Sequence, residues 1–210
     1  MRVLALDTCL AACSVAVLDG DRIAAAACEV MERGHQERLA PLVRDTMAHA
    51  ALAFSDLDRI AVTLGPGSFT GLRVGLAFAK GLGLALGRPV IGLGCLEVLA
   101  GPFSAASGRT LALLPAREGA ACHQQFEAGR PLGPPAAGLL AGLEGLDGVT
   151  RIVGAVELAD GLMPGAQRMP ALLPDAAIAA RLAVDRTPGD LAPLYMRPPD
   201  AKLPGGRSAA

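Results

Sequence analysis

The chain has 210 residues, a formal net charge of −1, 52% hydrophobic and 19% charged residues, and only 3% aromatic residues, with no Trp and one Tyr. This length allows one or two domains, with a core built from Ala, Leu and Val rather than from aromatic anchors. The charge balance excludes a protein that holds nucleic acid by itself through a basic patch, because phosphate neutralisation drives such binding.

No charged region followed by a long apolar stretch and a cleavage site opens the chain. No run reaches the roughly 18–20 uninterrupted apolar residues of a membrane span. The expected compartment is the cytoplasm, with no membrane partner. Five cysteines, at positions 9, 13, 28, 95 and 122, match no zinc-finger spacing and are expected to be reduced, buried thiols. No metal site is expected.

Val3–Leu6, Ser14–Leu18 and Arg22–Ala27 read as three consecutive strands, with Asp19-Gly20 as the turn between the last two. After Gly34, residues Leu39, Leu42, Val43, Thr46 and Met47 fall at helical spacing, with Pro41 placed near the first turn. Ile60–Leu64 is a strand, and Leu72–Leu86 a long helix closed by Gly87 and Pro89. Val90–Leu93 is a strand and Cys95–Leu99 a short helix. Further on, Thr110–Leu114, Cys122–Glu127 and Thr150–Val156 read as strands, Asp175–Val184 as an Ala-rich helix, and Leu194–Met196 as a last strand. The Gly/Pro-rich stretch from Gly129 to Gly148 predicts little regular structure. Composition places lobe boundaries at residues 1–105 and 106–196, with 197–210 as a tail.

Two segments carry candidate chemistry. Asp7-Thr8 closes the first strand, where turn amides donate to phosphate and a carboxylate orients a cation; an Asx-type turn is the alternative. In Gly65-Pro66-Gly67-Ser68-Phe69-Thr70-Gly71, Gly65 and Gly67 permit unusual backbone angles. Ser68 and Thr70 offer hydroxyl caps to the following helix, whose N-terminus attracts anions. The segment is not a P-loop, since no Gly-Lys-Ser/Thr follows, and a tight strand–helix connection is the alternative. The long helix carries Gly75, Gly81 and Gly83. Each interior glycine costs about 1 kcal/mol against Ala, which calls for close approach of another helix or of the chain's own sheet.

With Asp7-Thr8, the string Gly65–Arg73 continuing through Ala79-Lys80-Gly81-Leu82, Gly34–Leu39 with Pro41-Leu42, and Leu194-Tyr195-Met196-Arg197, the chain resembles the TsaB family of tRNA threonylcarbamoyladenosine biosynthesis. The resemblance covers the first hundred residues well and the second lobe weakly. It implies an actin-like (ASKHA, ribonuclease H-like) two-lobed α/β fold, with mixed sheets flanked by helices and a shorter, degraded second lobe. It further implies a non-catalytic subunit that binds and activates the paralogous transferase TsaD as a heterodimer. The product would be N6-threonylcarbamoyladenosine in tRNAs that read ANN codons. The ATPase TsaE joins the assembly, and tRNA is met only through the complex. Alone, the same face would pair a second copy into a homodimer.

The resemblance implies a partner face built from His35, Leu39, Leu42, Leu72, Arg73, Leu76 and Ala79. A vestigial nucleotide or anion site would comprise Asp7, Thr8, Gly65, Gly67, Ser68 and Thr70. No cofactor is intrinsic, and ATP or ADP would sit at the complex interface. TsaD-type proteins carry His-x-x-x-His after the strand that follows the glycine helix; here Cys95 and Leu99 take those places, and Leu cannot bind a metal. Asp160-Gly161 is followed by Leu162, so a second-lobe Asp-Gly-Gly phosphate loop is missing. The usual Asp-Ala-Arg and Glu-Val-Tyr strings are replaced by Pro115-Ala116-Arg117-Glu118-Gly119-Ala120. Other readings are a small actin-like ATPase or kinase using Asp7 and the Gly65–Gly71 loop, and a metal-dependent transferase or peptidase, which the missing histidines oppose.

Overall fold

The computed structural model describes residues 1–171 and 173–196. The first sheet has the order β3-β2-β1-β4-β5. Its strands are β1 (Arg2–Asp7), β2 (Ala12–Asp19), β3 (Arg22–Val30), β4 (Arg59–Thr63) and β5 (Val90–Leu93). The hairpin partners β1–β2 and β2–β3 are antiparallel, whereas β1–β4 and β4–β5 are parallel. Parallel neighbours need crossovers, and helices supply them. Helix α1 (His35–His49) leads into β4, and α2 (Phe69–Leu86) into β5.

Side chains on β1 alternate between two buried faces, as a strand's two-residue period requires. Leu4 and Leu6 pack with Leu39, Val43, Met47, Ile60, Val62 and Ala79, under α1 and α2. Val3 and Ala5 pack on the opposite face with Ala176, Ala179, Ala180 and Ala183 of helix α4 (Ala176–Leu182) and the residue after it. The alanines of α4 bring its backbone close to the sheet. Arg59 ties down the end of this helix, donating to Ala183 O at 2.7 Å and Arg186 O at 2.9 Å.

The second sheet repeats the connectivity in reduced form. Strands β6 (Arg109–Pro115), β7 (Ala121–Glu127), β8 (Arg130–Pro131), β10 (Val149–Gly154) and β11 (Gln167–Pro170) take the order β11-β10-β6-β7-β8, and β9 (Ala136–Gly138) also pairs with β7. Again β6–β7 is antiparallel, while β6–β10 and β10–β11 are parallel. Short 3-10 turns at Leu140–Gly142 and Val156–Ala159 stand where the first sheet has α1 and α2. Helix α3 (Cys95–Ala100) joins the sheets: Leu96, Leu99 and Ala100 pack with Ala112, Leu114, Phe126 and Val153.

Several expectations change. Helix α4 lies on the first sheet, so the segment assigned to a second lobe through residue 196 returns to the first. Leu194–Met196 is not a strand; Leu194 N–H donates to Leu64 O at 2.6 Å beside the first sheet. Strand β11, with the polar sequence Gln-Arg-Met-Pro, adds a parallel neighbour to β10 that no apolar period marks. Pro41 sits inside α1, one turn deeper than expected. Cys28 is exposed, whereas the other four cysteines are buried, and no disulfide joins any of the five. Arg197 and the tail lie outside the described residues. Helix α2 is long and apolar enough, by length and composition alone, to cross a membrane, yet Leu72, Gly75, Leu76, Ala79 and Gly83 are buried on its inner face.

Candidate functional site

Asp7 ends β1 and is 0% exposed. Its Oδ1 accepts from the Thr63 hydroxyl at the end of β4 and from the Cys9 backbone N–H at 3.3 Å, while Oδ2 is buried without a hydrogen-bond partner. Burial pushes the carboxyl up to about 6, against the smaller downward pull of the Thr63 and Cys9 hydrogen bonds.

The glycine loop is pressed onto this turn. Gly65 has φ +104° and precedes a cis Pro66. Ser68 N–H donates to Cys9 O at 2.6 Å, and the Thr8 hydroxyl donates to Gly71 O at 2.7 Å. A Cβ on Gly67 would lie 2.2 Å from Cys9 O, one on Gly71 2.0 Å from Thr8 O, and one on Gly75 2.4 Å from Thr8 Oγ1. These glycines therefore serve close approach of two backbone segments. Ser68 caps α2, its hydroxyl accepting from Gly71 N–H at 3.0 Å, while Thr70 is exposed in the first turn.

The structure thus brings the six predicted anion-site residues together, but as a packed pair of loops. Asp7 and Thr8 are sealed inside, and the Ser68 amide is spent on Cys9. Gly67, Ser68 and Thr70 are exposed. In the second lobe, Asp160 accepts from Arg168.

The predicted partner face also changes. Leu39, Leu42, Leu72, Leu76 and Ala79 are all buried, Ala79 at 0% exposure. An amphipathic helix satisfies its own core first, and these side chains are that core. His35, 8% exposed, shares a 3.0 Å hydrogen bond between Nε2 and Leu10 O and fastens the start of α1 to the β1–β2 turn.

Of the predicted face, Arg73 alone stays on the surface. Thr70, Arg73, Ala77, Lys80, Gly81 and Leu84 recur at three- and four-residue spacing and form the exposed stripe of α2. Leu84 is 86% exposed, and a Cβ on Gly81 would meet nothing within 4 Å. At the head of the stripe the Arg73 guanidinium stacks on the Phe69 ring at 3.6 Å, and its Nε donates to the Tyr195 hydroxyl at 3.1 Å. The Phe69 and Tyr195 rings are 5.1 Å apart. Sequence reasoning did not place Phe69 in a surface cluster. Its signal was present, since Phe69 and Arg73 stand four apart on one helix face.

Two mixed sheets with flanking helices define an actin-like α/β protein. A family model described as TsaD, tRNA N6-adenosine threonylcarbamoyltransferase, matches residues 6–133. The chain is 36% identical over 129 residues to the tRNA threonylcarbamoyladenosine biosynthesis protein TsaB of Escherichia coli (strain K12), covering 60% of this chain and 55% of that protein's length. The structure of a Pseudomonas aeruginosa protein described as similar to the peptidase YeaZ superposes with a TM-score of 0.78 at 31% identity, covering 93% of this chain and 99% of the other. YeaZ from Pseudomonas aeruginosa gives 0.74 at 33% identity, covering 87% and 90%. The chain belongs to the TsaD family and, within it, is a TsaB/YeaZ-type protein.

Proposed function

We propose that this chain is a non-catalytic subunit in the biosynthesis of N6-threonylcarbamoyladenosine in tRNA, where it docks on and activates a TsaD-type transferase. The observation that carries this reading is the exposed stripe of α2. Its interior glycine contacts nothing in the chain, and its last leucine lies bare. A glycine in a helix interior is costly against Ala, and this one, beside the exposed Ala77 and Leu84, supports close approach of a partner to that part of the stripe. The packed loops support the absence of catalysis: an enzyme of the kinase type needs its strand-end Asp exposed to a phosphate or metal-bound water, and Asp7 is buried beneath Cys9 and the glycine loop.

In this reading TsaE and tRNA are met through the complex, ATP or ADP binds where the subunits meet, and the assembly works in the cytoplasm. Without TsaD, the stripe pairs two copies of this chain. The role is tested by reconstituting tRNA modification from the same organism's TsaD, TsaE and the enzyme that makes threonylcarbamoyl-adenylate, with and without this chain. Modification should require the chain and be lost with Gly81→Arg. Full modification without the chain, or ATP turnover by the chain alone, contradicts the reading.

A further inference from the structure

Sequence spacing gives no metal motif, yet the fold brings three ligand-type side chains from distant positions to one point. Asp7 arrives at the end of β1, Cys9 from the turn that follows, and Cys95 as the first residue of α3. A carboxylate oxygen of Asp7 and the Sγ atoms of Cys9 and Cys95 lie within 4.8 Å of one another, and all three residues are 0% exposed.

A second observation concerns the same carboxylate. Oδ1 of Asp7 is occupied by Thr63 and Cys9, but Oδ2 is buried with no hydrogen-bond partner. A buried carboxylate oxygen left unpaired is costly, and a bound cation would satisfy it. The Thr63 hydroxyl lies 3.0 Å from Cys9 Sγ and also donates to Asp7. With its single proton given to Asp7, the hydroxyl accepts from the Cys9 thiol, so in the metal-free chain it holds both side chains at one point.

We propose that Asp7, Cys9 and Cys95 supply three of the four donors of a site for a thiophilic divalent cation of the zinc class, the fourth position being taken by a solvent molecule. Zinc takes Cys sulfur at about 2.3 Å and carboxylate oxygen at about 2.0–2.2 Å. Tetrahedral coordination then sets the donors roughly 3.5–3.8 Å apart, so the cluster needs to tighten by no more than about 1.0–1.3 Å. Two thiolates select zinc over calcium or magnesium. On binding, each thiol gives up its proton to solvent and its sulfur bonds the metal, with no change of oxidation state. The site would pin the start of α3, the helix that joins the two sheets, to the tip of β1.

The test uses the full chain, stripped with a chelator under a non-thiol reductant and titrated with Co²⁺. The expected result is one Co²⁺ per chain, a thiolate-to-cobalt charge-transfer band and tetrahedral d–d bands, all displaced by Zn²⁺. The charge-transfer band should fall by about half or more in Cys9→Ser and in Cys95→Ser, with Cys13→Ser and Cys28→Ser unchanged and circular dichroism confirming that each variant folds. Zn²⁺ should raise the Tm of the wild type but not of Cys95→Ser. A folded wild type with no thiolate–cobalt band overturns the proposal without any variant. So does a band that survives Cys95→Ser or follows Cys28, or a Cys9–Cys95 disulfide in the protein as purified.

Discussion

The two sheets share one connectivity and differ in what covers them. In the first, an antiparallel hairpin is followed by parallel strands whose crossovers are helices of 15 and 18 residues. These bury Leu4, Leu6, Ile60 and Val62 from one side while α4 covers the other. In the second, Leu111, Leu113 and Ile152 are covered by Leu140, Ala155, Ala159 and Met163 from turns and 3-10 segments. A 3-10 turn spans three or four residues and presents no continuous outer face. Long helices do: once their inner side is committed to the core, an outer stripe remains. The first lobe can therefore offer a helical docking surface, whereas the second offers sheet edges and loops. The glycines divide by what they face rather than by sheet. Those at 67, 71 and 75 are wedged against backbone or a buried hydroxyl, while those at 81 and 138 face open space.

The sharpest way to break this comparison is to charge the inner side of α2. Ala79→Arg places an unpaired guanidinium in the core, and a loss on the order of 3–5 kcal/mol is expected. Urea unfolding should find the isolated variant largely unfolded; a stable fold would mean the inner and outer faces are misassigned.

Next comes the buried carboxyl. In the metal-free chain Asp7 has its pKa at about 6 when folded, against 3.8 as the ordinary value. The folded state then holds the proton more tightly, so this contribution to stability is complete below about pH 4 and is lost as pH rises through 6. The loss amounts to roughly 3 kcal/mol. With chelator present, Asp7→Asn should gain on the wild type by that order between pH 4 and pH 7 in urea titrations. A pH-independent difference would show the carboxyl to be solvated.

Wedged and open glycines make the third contrast. Gly71→Ala drives a methyl into Thr8 O and should cost about 1–3 kcal/mol or more, while Gly138→Ala in the second sheet should stay within about 0.5 kcal/mol. Equal melting shifts for the two would erase the distinction.

The smallest effect is the most specific to docking. Gly81→Ala should stabilise the isolated chain by about 1 kcal/mol, because the added methyl meets nothing. If a partner helix approaches there closely, the same change weakens the complex, so melting temperature and affinity should move in opposite directions.

Most of the first lobe is legible in the sequence because its signals are local. Val3–Leu6 is a continuous apolar run, the helical spacing of Leu39, Leu42, Val43 and Met47 marks α1, and Gly87-Arg88-Pro89 stops α2. What is missed depends on distant partners. Nothing near Ala176 says that α4 packs across Val3 and Ala5, and the polar edge strand β11 has no apolar period to read. The candidate site is legible as residues but not as a state. The Asp7-Thr8 and Gly65–Gly71 segments do meet, yet only the folded chain sets Cys9 O against Gly67. The leucines of α1 and α2 are visible as one face, but an apolar face looks the same in sequence whether it meets the chain's own sheet or another protein. The meeting of Cys95 with Asp7 and Cys9 is a pure consequence of topology.

In the proposed complex the outer stripe of α2, and not its leucine face, meets a TsaD-type partner. This contact is tested most directly by size-exclusion chromatography with light scattering, using this chain and the same organism's TsaD. A heterodimer is expected with the wild type and none with the paired change Ala77→Arg and Gly81→Arg, while the variant keeps its circular dichroism and melting cooperativity. An undiminished heterodimer with the folded double variant would contradict it.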